Sequence, residues 1–352
     1  MKPVSLANPN RIDGLEACRA VAAMLVMLFH LGESYSGEPL FDLFKRGYAG
    51  VDLFFVISGF IIFRTLKPGS SIKRFAAKRF LIIFPPYWVI LSLYVLTFGL
   101  ASIFLPGFER DLSPDRLVVS YFLLPSYDHI ISIAWTLSCE ILFYLVAGLT
   151  YLCLGPRYCV ATIFLWGAVN WVLALNGIGR GWLPLSPIFL EFLFGIIAAL
   201  AYDKTQYQHP IRAALIAIAG TVSLAFSLFL GSDAMIENWG RVIIFGVPSA
   251  AIVYGISGIP LRLSTVVIQM GGASYILYLS HVLIFLIFRR LLAYVGANNE
   301  YFEIIILCII SVGTALIAHV KLELPYQEWY RARLRRSEAF HLKNQNRKVN
   351  GN

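Results

Sequence analysis

Long apolar runs separated by short polar connectors recur along the whole chain. Several of them reach the roughly 18–20 residues that an α-helix needs to cross a hydrocarbon core. The pattern predicts about ten membrane-spanning helices. They lie near residues 14–32, 48–65, 81–105, 134–153, 158–175, 184–202, 212–230, 240–258, 273–292 and 303–322. Pro85 and Pro86 fall inside the third run, and because proline has no N–H, an interrupted helix propped by its neighbours is expected there. The fold class that follows is all-α, a polytopic integral membrane helical bundle. Residues 1–330 read as one membrane-embedded domain and 331–352 as a basic cytoplasmic tail.

Composition agrees: of 352 residues, 58% are hydrophobic and 14% charged, which excludes an ordinary soluble domain. The net charge of +9 adds orientation. An even number of spans puts both termini on one side. Assigning them to the cytoplasm leaves about 20 of the 29 Lys and Arg inside and about 8 outside, as the positive-inside rule requires. The densest inner clusters are "RTLKPGSSIKRFAAKR" and the tail "RARLRRSEAFHLKNQNRKVN", whereas Arg289 and Arg290 fall on the outer side against the trend. The basic excess is therefore a topology signal whose partner is an anionic inner leaflet, and it does not point to nucleic acid. The first run has no small-residue cleavage site and is followed by further spans, so it is expected to be retained. Cys18, Cys139, Cys153, Cys159 and Cys308 have no metal or redox spacing and read as small core residues.

The chemistry lies in the polar exceptions. In "EACRAVAAMLVMLFHLG", Glu16, Arg19 and His30 are separated by about 300° and 1100° of helical rotation, which puts all three within about 60° on one face. Eleven residues at ~1.5 Å each carry His30 about 16 Å along the axis from Arg19. Arg19 is then near the cytoplasmic end and His30 in the outer half. Asp52, Trp135, Glu140 and Glu191 occupy the outer parts of their runs, with Ser58 and His281 nearer mid-membrane. Isolated carboxylates in lipid cost several kcal/mol each, so His30, Asp52, Glu140 and Glu191 are expected to share one outward-facing cavity. The structural alternatives are that Arg19 snorkels to headgroups, that Glu140 satisfies a neighbouring helix, and that His281 makes one hydrogen bond inside the bundle. A polar face of this kind suits a proton-coupled carrier, for example of a polysaccharide or lipid-linked sugar. It equally suits an enzyme whose histidine base takes a proton from a hydroxyl. A non-catalytic scaffold would leave the buried carboxylates without a purpose. Periodicity does not separate the first two.

The residues carry a resemblance that does. "DGLEACRAVAAMLVMLFH", "GYAGVDLFFVISGFII", "KRFAAKRFLIIFPPYW", "IAWTLSCEILFYL", "LEFLFGIIAA", "GGASYILYLSH" and "KLELP" follow one another in the order and spacing of the membrane acyltransferase 3 family. The resemblance spans roughly residues 11 to 330. Within the family the chain is most similar to bacterial exopolysaccharide O-acetyltransferases of the succinoglycan type, through "GVDLFFVISGFI" and "RVIIFGVPSAAIVYG".

That resemblance implies a ten-span enzyme of the bacterial inner membrane. It would take an acyl group, usually acetyl, from cytoplasmic acyl-CoA and place it on a glycan hydroxyl at the outer face. No permanently bound cofactor and no metal are implied; acyl-CoA, an acceptor glycan or lipid-linked saccharide, the bilayer and polysaccharide biosynthesis proteins are the expected partners. The family's catalytic histidine falls on His30, its essential arginine on Arg19, and the carboxylate of the "WTL" stretch on Glu140. Asp52 or Glu140 is expected to orient His30. A basic vestibule of Arg19, Arg74, Lys78 and Arg79 would hold the phosphates of coenzyme A. Glu16, Ser58, Trp135, Glu191 and His281 are expected to line the cavity or contact the acceptor. Two positions depart from the family pattern: Ile82 stands where a second arginine is common, and Glu16 where aspartate is usual.

Overall fold

A computed structural model describes residues 12–334 apart from 36–38, 106, 109, 180, 206–207, 231–239 and 298. Most of the expected tail, 335–352, lies outside the described residues. All regular structure among the described residues is helical. Helix α1 spans Asp13–Ser34, the short α2 Pro39–Lys45, α3 Ala49–Thr65, α4 Ile72–Phe104 and the short α5 Pro114–Tyr121. Then come α6 Trp135–Leu154, α7 Pro156–Leu175, α8 Phe189–Thr205 and α9 Pro210–Leu230. A π-helical turn, Val242–Gly246, leads into α10 Val247–Ser257, followed by α11 Thr265–Tyr294 and α12 Glu300–Ala318. A second π turn, His319–Glu323, joins α12 to a continuation that ends at Leu334.

Eight helical segments are long and apolar enough to cross a membrane, and the shorter α8 and Val242–Ser257 occupy the two remaining expected positions. The exposed side chains run opposite to those of a soluble bundle. Along α9, Ile211, Leu215, Ile218, Val222 and Phe226 repeat every three or four residues and are all exposed, the stripe that lipid would cover. Cys153 belongs to such an outer surface, which corrects its expected place in the core; Cys18, Cys139 and Cys159 are buried and Cys308 half-buried.

The third run also differs from expectation, since α4 is one continuous helix through Pro85 and Pro86 and starts at Ile72. The reason is local. Pro85 has no N–H for the carbonyl four residues back, that of Leu81, and the Tyr326 hydroxyl donates to that carbonyl at 2.9 Å. The Tyr275 hydroxyl donates to the next-but-one carbonyl, Ile83, at 2.8 Å. Tyr326 thus supplies the donor that Pro85 lacks, while Tyr275, whose acceptor Ile83 has the N–H of Tyr87 as its helical donor, adds a second tie to the same turn.

Small residues set the closest helix crossings. Gly59 of α3 lies against the Phe192 backbone of α8, and Gly195 of α8 against the Val56 carbonyl of α3, so a Cβ at either would have to move backbone. That crossing fixes α3 and α8, the helices that carry Asp52, Ser58 and Glu191. Long helices alternate in direction, which places Ser34, Ala49, Trp135, Phe189, Tyr294 and Glu300 at one end of the bundle and Asp13 at the other.

Candidate functional site

Helix α1 contributes the central side chain, His30, one turn before the Ser34 end. Its Nδ1 lies 3.3 Å from the Glu33 carboxylate on the next turn, and its ring centroid is 5.3 Å from that of His281 on α11. With Glu33 at Nδ1, Nε2 is the nitrogen left to take a proton. His281 is fully buried and its Nδ1 lies 2.9 Å from the Leu277 carbonyl. A carbonyl only accepts, so Nδ1 carries the proton and Nε2 is a bare lone pair, which has no hydrogen-bond partner among the described residues. One buried imidazole with an unused acceptor thus sits beside a second imidazole that is held by a carboxylate.

His30 opens onto a cavity of about 470 Å³ lined also by Glu33, Ser34, Val282, Phe285, Leu286, Arg289, Arg290, Ala293 and Glu303. The volume falls within the usual range for small-molecule sites. At its rim, Tyr35 donates to Glu303 at 2.7 Å, and burial together with that carboxylate pushes the phenol's pKa up.

The other expected members of this cavity form two separate groups. Asp52, fully buried, is held bidentately by Arg241, with both hydrogen bonds at 2.9 Å. Glu191 neighbours this pair, fully buried, and neither of its carboxylate oxygens has a hydrogen-bond partner among the described residues. Glu140 accepts from Ser58 at 2.7 Å and from Tyr144. The Tyr144 ring carries the Arg79 guanidinium 5.2 Å from its centroid, so this second group reaches toward the Asp13 end. Asp52 and Glu140, expected to orient His30, are each engaged by other partners, and the carboxylate that lies at His30 Nδ1 is that of Glu33. The single shared cavity is corrected as well, since Asp52, Glu140, Glu191 and Trp135 do not line it. Trp135 instead packs edge-on against Phe55 at 6.3 Å and near Tyr127 at 5.6 Å. His281 stands beside His30 but is fully buried and does not line the cavity, with its hydrogen bond made inside its own helix as in the structural alternative.

At the Asp13 end, Arg19 pairs with Glu16 at 3.3 Å. Arg79 donates to Thr65 at 3.1 Å and lies over Phe75. Arg74 and Lys78 are exposed, and the charged neighbours of Lys78 are Arg79 and Arg331. Ile82 is half-buried against the apolar core, consistent with its departure from the arginine pattern.

Several site residues escape a reading of the sequence alone. Glu33 follows His30 in "HLGES", which looks like the start of a connector. Arg331 is one basic residue among many in its segment. Arg241 had a visible signal, a lone cation opening the apolar run "RVIIFGVPSA". Outside the spans, His129 is buried with Nε2 2.9 Å from the Ser138 hydroxyl, and burial lowers its pKa from 6.5 to about 4.

Residues 12–320 match the family model described as an acyltransferase domain, that of the acyltransferase 3 family. The chain therefore belongs to this family of acyl-transferring enzymes. It is similar to acyltransferase MdmB of Streptomyces mycarofaciens, 26% identical over 328 residues, covering 80% of this chain and 81% of the relative. It is similar to exopolysaccharide production protein ExoZ of Rhizobium meliloti, 28% identical over 273 residues, covering 72% and 80%. It is also similar to an O-acetyl transferase of Shigella phage Sf6, 31% identical over 245 residues, covering 60% and 68%. No solved structure matches the chain significantly. Membership in this family supports an acyl-transferring enzyme over the carrier and scaffold alternatives.

Proposed function

We propose that the protein is a membrane O-acyltransferase that moves an acetyl group from cytoplasmic acyl-CoA to a hydroxyl of an exopolysaccharide or other cell-surface glycan. The observation that carries this is His30, held through Nδ1 by Glu33 and opening into a cavity of sugar-sized volume. The names of the exopolysaccharide production protein and the O-acetyl transferase among its relatives support the acceptor class.

In this reading the Asp13 end faces the cytoplasm of a bacterial inner-membrane enzyme, with both termini inside and the His30 cavity outward. Arg19, Arg74, Lys78, Arg79 and Arg331 offer guanidinium and ammonium groups to the nucleotide phosphates. The pantetheine arm then spans the ~16 Å that separates Arg19 from His30 along α1. His30 Nε2 removes the proton from the attacking sugar hydroxyl, its oxygen adds to the thioester carbonyl, and the tetrahedral intermediate collapses to the ester. The thiolate of coenzyme A leaves and takes up the proton held by His30. Glu33 stabilises the imidazolium formed in between. Glu140 with Ser58 and Tyr144, and Asp52 with Arg241, act as positioning groups that keep α3, α6 and α10 in place around this path. One membrane-embedded unit carries the activity, with a basic tail beyond it, and other polysaccharide biosynthesis proteins are natural neighbours.

The test is the O-acetyl content of surface polysaccharide in the wild type, a deletion strain, and the deletion complemented with His30→Ala at matched membrane levels. Acetyl groups should vanish in the deletion and return only with the wild-type gene. Unchanged acetylation in the deletion would refute the reading.

A further inference from the structure

Two arginines on the cavity wall have no part in the chemistry above. Arg289 and Arg290 sit near the Ser34 end of the bundle, the side on which the charge distribution along the chain disfavours them. Neither forms an ion pair with a carboxylate among the described residues. Instead each guanidinium lies over an aromatic face, Arg289 at 4.5 Å from the Tyr35 centroid and Arg290 at 4.6 Å from that of Phe108. A ring fixes where a cation sits without neutralising it. The two carboxylates on the same wall are occupied, Glu33 beside His30 and Glu303 by the Tyr35 hydroxyl. The cavity thus presents two positioned guanidinium forks that no described carboxylate engages directly, although Glu33 and Glu303 share the wall, and such forks are the group best suited to bidentate contact with carboxylate or phosphate oxygens.

We propose that Arg289 and Arg290 form an anion subsite of the His30 cavity, and that the acceptor is accordingly an acidic glycan whose carboxylate or phosphate lies within one or two sugar units of the acylated hydroxyl. This rests on the reading of that cavity as the acceptor site. Arg289, Arg290 and His30 line the same cavity of about 470 Å³, which makes the anion and the reacting hydroxyl near neighbours. The oxyanion has two sources: an acidic sugar, or the phosphate of a polyprenyl carrier.

The full chain in phosphatidylcholine nanodiscs, with acetyl-CoA as donor, distinguishes them. Three acceptor probes are used: a glucuronate-containing oligosaccharide, the same oligosaccharide with its carboxyls reduced, and the reduced form carried on polyprenyl pyrophosphate. At least one acidic probe should show a KM about tenfold below that of the neutral probe, and Arg289→Gln with Arg290→Gln should raise that KM about tenfold while leaving kcat and the neutral probe nearly unchanged. A paired Lys replacement should restore part of the preference. Which acidic probe responds names the source. Equal KM values for all probes in the wild type, or a double variant that lowers kcat alike on all three, would overturn the subsite. So would a loss that tracks added phosphatidylglycerol instead of the acceptor, since the arginines would then serve lipid headgroups. Transfer that requires His30 but ignores the arginines removes only the subsite; transfer indifferent to His30→Ala removes the parent reading and the subsite with it.

Discussion

In the proposed mechanism the His30 imidazole and the Glu33 carboxylate, 3.3 Å apart on adjacent turns, are the base and the group that orients it. Removing the imidazole in His30→Ala should lower kcat by about 10²–10⁴, the usual contribution of a positioned general base. Glu33→Gln keeps the shape and removes the charge that favours the imidazolium. Because Glu33 is 54% exposed, solvent screens it, and the loss should be smaller, about tenfold in kcat at unchanged donor KM. A steady-state comparison of the two variants checks the ordering; equal losses would mean that Glu33 takes part in the proton transfer itself. His129 offers a separate pH test. Its folded pKa of about 4 lies below the ordinary 6.5, so the unfolded chain binds the proton first, and stability falls as pH drops from about 6.5 toward 4. The melting temperature of detergent-solubilised protein should therefore decline over that window, and His129→Asn should flatten the decline. At this scale the sequence showed His30, Arg19 and His281 through their odd placement in apolar runs. It hid Glu33, because a carboxylate at a helix end reads as a connector, and it hid the partner of Asp52, because pairing across 189 positions leaves no local mark.

Helix α4 illustrates what elements need from one another. Two prolines in a row predict a break, yet α4 runs on, with Tyr326 donating to the Leu81 carbonyl that Pro85 leaves without its N–H and Tyr275 tying the same turn through Ile83. Tyr326→Phe should leave the Leu81 carbonyl without a donor and cost about 1–3 kcal/mol. In a Pro85→Ala background the restored N–H fills that carbonyl, so the same change should cost much less. Thermal unfolding of the four proteins of this cycle measures the coupling; additive effects would refute the account. The existence and type of the eight long apolar helices and the two shorter ones were legible because a span is a composition-and-length signal. The start of α4 at Ile72 was not, since "SIKRFAAKRF" is too polar to count as apolar although its helix simply extends beyond the lipid-like run.

Across the whole molecule, polar groups that the sequence assigned to one cavity are distributed over three sites: His30 with His281 and Glu33, Asp52 with Arg241 and Glu191, and Glu140 with Ser58, Tyr144 and Arg79. Depth along each helix was readable from residue number, but rotation about each helix axis depends on which neighbour it packs against, which only the assembled bundle defines. The buried Asp52–Arg241 pair ties α3 to the turn before α10. Removing one partner, as in Arg241→Met, leaves Asp52 unpaired beside Glu191 and should cost roughly 3–5 kcal/mol. Replacing both, as in Asp52→Leu with Arg241→Met, should recover much of that loss. Folded yield by size-exclusion chromatography and thermal melting report the difference; a double variant worse than the single would show that the pair contributes net stability.

Whether His30 performs acyl transfer from the cavity at the Ser34 end is open to direct test. The most direct measurement is glycan-dependent release of coenzyme A from acetyl-CoA by the protein in sealed proteoliposomes, for wild type and His30→Ala with matched melting temperatures. Acceptor-stimulated release is expected in the wild type, with its loss by about 10²-fold or more in the variant. Equal acceptor-stimulated release from both proteins would contradict it.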